Sequence, residues 1–206
     1  MASVEPIAVA ILAKAPLPGL AKTRLIPVLG AEGAAQLQAR LIGRTLATAC
    51  AAKVGPVTLW AAPEEAHFHA LVDELPVALA RQADGDLGAR MLAAFTARSP
   101  ALVIGTDCPA LEPNHLRQAA DALRAGSDAA IIPAEDGGYV LIGLKRPQPA
   151  LFADMPWGTG QVLAETRRRS ERLKLAMREL APLWDVDLPA DLERLRRAGL
   201  GDLLPR

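Results

Sequence analysis

The sequence predicts an α/β protein, with parallel strands joined by helices that cover both faces of one sheet. Three observations predict it. Short apolar runs alternate with helical patterns along most of the chain. The helical stretches carry start and stop signals, such as Pro113 in a first turn and Gly126 and Gly199 after last turns. Of the 206 residues, 51% are apolar and 22% charged in both signs, enough for a sizeable core and too little charge for disorder.

Taken in order, the strand candidates are Ile7–Leu12, Val57–Ala61, Val77–Leu79, Ala101–Gly105, Ala129–Pro133 and Tyr139–Gly143. Each is a short apolar run bounded by polar, Gly or Pro residues, the pattern of a strand buried on both faces. A further short strand is placed near Leu173–Met177. The helix candidates are Ala31–Ala51, Glu64–Glu74, Leu87–Arg98, Pro113–Ala125, Gly160–Arg172 and Pro189–Ala198. Strand–helix–strand units imply right-handed crossovers. The alternation breaks after about Ile132, where Pro133–Gly138 reads as a polar turn and Arg146–Trp157 is rich in Pro, so the C-terminal part is less regular. No linker-like segment and no internal repeat divides the chain, so residues 1–206 are read as one domain.

Composition excludes several classes. Formal net charge is zero, which argues against nucleic acid or an anionic membrane surface as partner. Aromatics are 3%, too few for base-stacking platforms. Cys50 and Cys108 lie far apart without metal-ligand spacing, and Cys50 is read as a buried small hydrophobe. A reducing, cytoplasmic setting is the default. Glu5 and Pro6 interrupt any basic-then-apolar signal pattern, and no apolar run reaches membrane-spanning length. His67, His69 and His115 are read as surface histidines. The high apolar fraction is compatible with a homo-oligomer, without a readable interface.

The densest chemical signal is Lys14-Ala-Pro-Leu-Pro18-Gly19-Leu-Ala-Lys22-Thr23-Arg24, a strand-to-helix loop. Its prolines restrict the backbone, Gly19 lets backbone approach a ligand, and three cations leave the end of a buried strand. That combination suits a polyphosphate or another anion, since ligands of open α/β sheets lie beyond the carboxyl ends of strands. An ordinary basic surface loop is the bland alternative.

Carboxylates gather at the same edge. Asp107 follows the fourth strand, Glu135-Asp136-Gly137-Gly138-Tyr139 follows the fifth, and Asp185-Val-Asp187 precedes the last helix. Mg²⁺ or Mn²⁺ prefers a few carboxylates plus substrate phosphates. Asp185 and Asp187, spaced by one, would face one side if extended. Each acid also has a structural reading: Asp107 as a turn cap, Asp187 and Asp191 as helix caps, and Asp136-Gly as a hairpin turn. Strand-end acids together with strand-end cations favour metal-assisted phosphate chemistry. Gly19-Leu-Ala-Lys22-Thr23 lacks the glycine and spacing of a P-loop. No Gly-x-Gly-x-x-Gly follows the first strand, Gly-x-Ser-x-Gly is absent, and zinc ligands are lacking.

The ordered set Lys14-x-Pro16-x-Pro18-Gly19-x-x-Lys22-Thr23-Arg24-Leu25, Gly85-Asp86-Leu87-Gly88-x-Arg90-Met91, Gly105-Thr106-Asp107-Cys108-Pro109, Asp136-Gly137-Gly138-Tyr139, Trp157-x-Thr159 and Asp185-Val186-Asp187-x-x-x-Asp191-Leu192 resembles the DUF2064 family, also described as arsenosugar-biosynthesis-type glycosyltransferases. The resemblance runs from about Ile7 to Leu195, with Gly158 standing where serine is expected. It implies a GT-A, SpsA-like fold: a Rossmann-like three-layer α/β/α sandwich with a mostly parallel mixed sheet. It also implies that Lys14, Lys22 and Arg24, with Pro18, Gly19 and Thr23 of the loop, hold nucleotide phosphates. By the same resemblance Gln82, Gly85 and Asp86 contact the base. Asp107 would bind metal, with Asp185 or Asp187 completing the site. Asp136, Gly137, Gly138 and Tyr139 would line an acceptor or sugar pocket that Trp157 and Thr159 close, and Lys22, Arg24, Asp107 and Asp136 would serve catalysis.

The implied activity is a metal-dependent transfer from a nucleotide-activated donor to a small-molecule acceptor. A glycosyltransferase comes first. A nucleotidyltransferase releasing pyrophosphate is the alternative, since the fourth strand ends in one acid rather than Asp-x-Asp. A nucleotide-binding regulator without turnover would need only the loop and the base contacts.

Overall fold

In the computed structural model, which describes residues 5–63, 66–73 and 75–205, seven strands form one mixed sheet. The strands are β1 (Ala8–Lys14), β2 (Val57–Ala62), β3 (Val77–Arg81), β4 (Ala101–Ile104), β5 (Ala129–Pro133), β6 (Tyr139–Leu144) and β7 (Met177–Glu179), in the order β3-β2-β1-β4-β6-β5-β7. All run parallel except β6, which is antiparallel to both β4 and β5. The reason is the short connection at 134–138. A parallel neighbour requires a long crossover, whereas these few residues can only fold back as a hairpin. Ala134 N donates to Gly138 O at 3.1 Å, and Gly137 takes φ +90° at the tip.

The helices are α1 (Ile26–Ala52), α2 (Ala66–Val72), α3 (Leu87–Ala97), α4 (Pro113–Arg124), α5 (Pro149–Phe152), α6 (Val162–Arg172) and α7 (Pro189–Arg197). The side-chain alternation of β1 divides them. Val9, Ile11 and Ala13 point into one core with residues of α1, α2 and α4. Ala8 and Ala10 point into the other with Met91 and Phe95 of α3 and Leu151 and Phe152 of α5, and α6 packs on α5. This gives the three-layer sandwich that the sequence implied. A third, smaller cluster joins Leu25, Leu37 and Leu41 to Val186, Leu192, Leu195 and Leu203, and so ties the chain end to the start of α1.

Several elements differ from expectation. The first strand extends to Lys14, pairing with Ala62, so Lys14 is the strand's last residue and not part of the loop. The first helix starts at Ile26 with Pro27 in its first turn, and Gly30 (φ +69°) breaks it just before the expected start at Ala31. The last strand lies at Met177–Glu179, where it pairs with β5, rather than at 173–177. The Pro-rich stretch contains the one-turn helix α5, which has no helical periodicity to announce it. Of the expected helix 64–74, Glu64, Glu65 and Glu74 lie outside the described residues.

Cys50 is half-buried rather than buried, while Cys108 is buried and its thiol is pushed up to about 12 by desolvation, which leaves it inert. His69 is exposed; His115 is half-buried, and its Nδ1 accepts the Glu112 amide at 3.0 Å at the start of α4. The side chain of His67 lies outside the described residues. Among the described residues no helix is long and apolar enough to cross a membrane.

Candidate active site

A cleft of about 650 Å³ opens at the carboxyl edge of the sheet, lined by both the cationic segment and the acidic segments. The cationic wall begins with Lys14 at the end of β1. The chain then turns tightly: Leu20 N and Ala21 N both donate to Leu17 O, at 3.0 and 3.1 Å, and Gly19 takes φ +80°. Pro18 and Gly19 shape this turn without facing the cleft. Lys22, Thr23 and Arg24 follow, at the entry to α1. Lys14, Thr23 and Arg24 are exposed.

Lys22 differs from the other two cations. Its side chain is only 4% exposed. Its ammonium lies 2.6 Å from Asp107 Oδ1 and donates to Val186 O at 2.6 Å. Arg24 reaches across to Asp187.

The acidic wall is assembled from three parts of the chain. Asp107 leaves β4, and its backbone carbonyl accepts the Val186 amide at 2.9 Å. Asp136 sits in the β5–β6 turn, where its Oδ1 accepts the Gly138 amide at 2.9 Å. It is therefore a turn residue and a cleft residue at once. Asp185 follows β7. Burial raises its carboxyl to about 6, and the facing carboxylates of Asp136 and then Asp107 add to the shift, while its own backbone and Lys22 oppose it. Asp191 Oδ2 accepts the amides of Asp187 and Leu188 at 2.9 and 2.7 Å, so Asp191, within the first turn, secures the start of α7, and Asp187 is left to meet Arg24.

Among the described residues no three His, Cys, Asp or Glu side chains stand close enough to hold a metal unaided. The donor set instead fits a hard cation held by one or two carboxylates and completed by phosphate oxygens and water, the usual habit of Mg²⁺. Such a cation would also offset the burial of Asp185 and the neighbouring charges of Asp136 and Asp107, which raise its carboxyl.

Beyond the acids the cleft is walled by Tyr139, Met91, Trp157 and Thr159. Tyr139 and Trp157 meet edge to face at 6.5 Å, and the Tyr139 hydroxyl points at Met91 Sδ, 3.8 Å away. Burial pushes the Tyr139 phenol well above its ordinary range. The Thr159 hydroxyl is spent locally on Pro156 O at 2.8 Å. Close backbone packing holds this wall. A Cβ on Gly137 would lie 2.3 Å from Gly160 O, and one on Gly88 would lie 3.0 Å from the Trp157 ring.

A second recess of about 590 Å³ shares Lys14, Leu12 and Leu87 with the cleft and continues it along β2 and β3. Of the three expected base contacts only Gln82 reaches it. The Gln82 amide nitrogen donates to Ala13 O and Trp60 O at 2.9 and 2.8 Å. Gly85 and Asp86 lie off its wall, and Asp86 caps α3 by accepting the Ala89 amide at 2.8 Å. Sequence reasoning missed Arg90, which lines the recess and donates to Gly85 O at 3.2 Å. It also missed Gln38, a buried cleft residue that donates to Thr106 Oγ1 at 3.1 Å. The available signal for Gln38 was a polar residue within the apolar face of a helix between Leu37 and Leu41.

This fold is that of the nucleotidyl- and sugar-transferase α/β proteins. The chain itself belongs to the DUF2064 family, described as uncharacterized proteins conserved in bacteria, whose pattern matches residues 45–159. A candidate nucleotide-diphospho-sugar transferase from Desulfovibrio desulfuricans G20 is 30% identical, with a TM-score of 0.85 over 95% of this chain and 88% of that one. The 4-diphosphocytidyl-2C-methyl-D-erythritol synthase of Anaerococcus prevotii shares the fold at 12% identity, with a TM-score of 0.63 over 94% and 96% of the two chains. Rv0371c of Mycobacterium tuberculosis, solved with manganese, does so at 18% identity, with a TM-score of 0.50 over 93% and 99%. No curated protein matches the sequence.

Proposed function

We propose that the protein is a metal-dependent transferase that moves a glycosyl group from a nucleotide-activated donor to a small-molecule acceptor. One observation carries the reading: the exposed cations Lys14 and Arg24 line the same cleft as the carboxylates Asp107, Asp136 and Asp185, at the carboxyl edge of the sheet. The donor's phosphates sit against Lys14, Thr23 and Arg24. Its base occupies the recess lined by Gln82 and Arg90. Asp107 and Asp185 are the residues to hold Mg²⁺ or Mn²⁺, which when bound neutralises charge on the departing phosphate. That the fold neighbour Rv0371c was crystallised with manganese supports this choice. Arg24, released from Asp187, supplies positive charge where the leaving group gathers negative charge. Asp136, held through one oxygen by Gly138 and lining the cleft with Tyr139 and Trp157, takes a proton from an acceptor hydroxyl.

Nucleotidyl transfer is the second reading. It is favoured by β4 ending in Asp107-Cys108-Pro109, a single acid whose partner Asp185 comes from a distant segment. The two readings differ in the bond that breaks. Incubation with Mg²⁺, nucleoside triphosphates, nucleotide sugars and a panel of hydroxyl- and phosphate-bearing small-molecule acceptors is expected to release nucleoside diphosphate as the glycosyl group moves to an acceptor; release of pyrophosphate as a nucleotidyl group moves instead establishes the second reading. Calorimetry showing no nucleotide or nucleotide sugar bound, with or without metal, overturns both.

A further inference from the structure

We infer that Lys22 is a positioning residue, which locks Asp107 and the Asp185–Asp187 segment into one edge and does not itself touch nucleotide phosphate. The inference rests on the transferase reading only for the use to which the acids are put. The phosphate role that the resemblance implies for three cations then falls to Lys14 and Arg24.

The geometry separates Lys22 from its neighbours. Its side chain is 4% exposed, against 65% for Arg24. Two of the ammonium's three donors are committed at 2.6 Å, one to the Asp107 carboxylate and one to the Val186 carbonyl. These partners are also bonded to each other, through Val186 N to Asp107 O at 2.9 Å. A closed ring thus joins three segments far apart in the chain. Val186 is fully buried and packs in the cluster that contains Leu25, just beyond Lys22. Swinging the ammonium out to a phosphate would break two charge-assisted bonds and leave a buried carbonyl unpaired.

Lys22 also has something to hold. Asp185 faces Asp136 and Asp107, and Lys22 is the cation that counters this repulsion. Asp107 keeps 54% of its side chain exposed, so the clamp occupies one oxygen and leaves the other to the cleft. Lys22 therefore sets the spacing of two acids that repel one another.

The test compares Lys22→Met with Arg24→Ala in the full-length protein. Binding of ATP, GTP, CTP and UTP is measured by calorimetry in EDTA and over a Mn²⁺ titration. Amide exchange is followed at Val186. Lys22→Met is expected to leave metal-free nucleotide affinity unchanged, to raise the Mn²⁺ needed for half-saturation by about tenfold or more, and to speed exchange at Val186 by about tenfold. Lys22→Arg, which keeps the charge, is expected to recover part of the Mn²⁺ response, and it is read in the same assays if the Met variant fails to fold. In an Asp107→Asn background Lys22→Met is expected to add no further loss. A fall in metal-free affinity as large as that of Arg24→Ala shows direct phosphate contact and overturns the inference, as does unchanged exchange at Val186. If the wild type binds no nucleotide in either condition, the transferase reading falls, and the exchange result still decides whether Lys22 holds the ring.

Discussion

The two walls of the cleft are built in opposite ways. The cationic wall is local: Lys14 ends the central strand β1, and Lys22, Thr23 and Arg24 follow within one turn that leads into α1. The acidic wall is an assembly of Asp107 after β4, Asp136 in the β5–β6 turn and Asp185 after β7. What joins the walls is the ring of Lys22, Asp107 and Val186, together with the Arg24–Asp187 pair. A local wall can be altered one residue at a time. An assembled wall depends on the packing that brings its parts together, so its failures should appear in stability as well as in binding.

Breaking the assembled wall has the largest expected effect. Gly137 takes φ +90°, and any Cβ there would lie 2.3 Å from the carbonyl of Gly160. Gly137→Ala is expected to lower stability by about 3 kcal/mol through strain and overpacking, read from the midpoint of urea unfolding. Asp107→Ala removes an acid and one side of the Lys22 ring. It is expected to weaken metal-dependent nucleotide binding by about 100-fold, read by calorimetry with Mg²⁺ and again in EDTA, where the loss should be much smaller.

The local wall should respond more gently. Arg24→Ala, at an exposed side chain, is expected to weaken nucleotide affinity by about tenfold with no change in unfolding midpoint. Equal losses of affinity and stability would show that the walls are not built differently after all.

The smallest effect concerns the cost of holding acids together. The carboxyl of Asp185 is raised from 3.8 to about 6, chiefly by burial. In the unfolded chain it ionises near its ordinary value, whereas the folded protein resists its ionisation until about pH 6. This group therefore costs the fold nothing below about pH 4. It costs progressively more between about pH 4 and 6, and a constant amount above. Asp185→Asn is expected to be more stable than the wild type at pH 7 by about 1 kcal/mol, a figure reduced for the half-exposed position. The difference should vanish in melts near pH 3.5. A wild type more stable than the variant at pH 7 would mean that Asp185 is stabilised by its neighbours and not opposed by them.

The contrast also explains what could be read from the chain. Strands such as Ala129–Pro133, a buried apolar run between turn signals, were legible because continuous apolar character is itself the mark of a strand covered on both faces. The direction of β6 was implicit in the Asp136-Gly137-Gly138 turn, since Asp-Gly favours a hairpin and a hairpin reverses the chain. Helix α5 was not legible, because one turn of helix has no periodicity and its place is fixed by packing on α3 and α6. The roles expected of Gly85 and Asp86 came from their motif; the cap that one oxygen of Asp86 gives α3 follows from a general habit of Asp at helix starts.

The sequence by itself determined the alternation of strands and helices, the cation-rich segment at the end of β1 and the acids at the ends of later strands. These follow from short-range rules: burial pattern, turn chemistry and strand length. Tertiary structure alone decided which charges meet. In the sequence, Lys14, Lys22 and Arg24 are three like cations of one short segment. Only the arrival of Val186 and Asp107 beside Lys22 buries one cation and leaves the other two exposed. The physical reason is desolvation. A charge removed from water must find its partners at fixed distance, and those partners come from segments whose place is set by the sheet order and not by their neighbours in sequence.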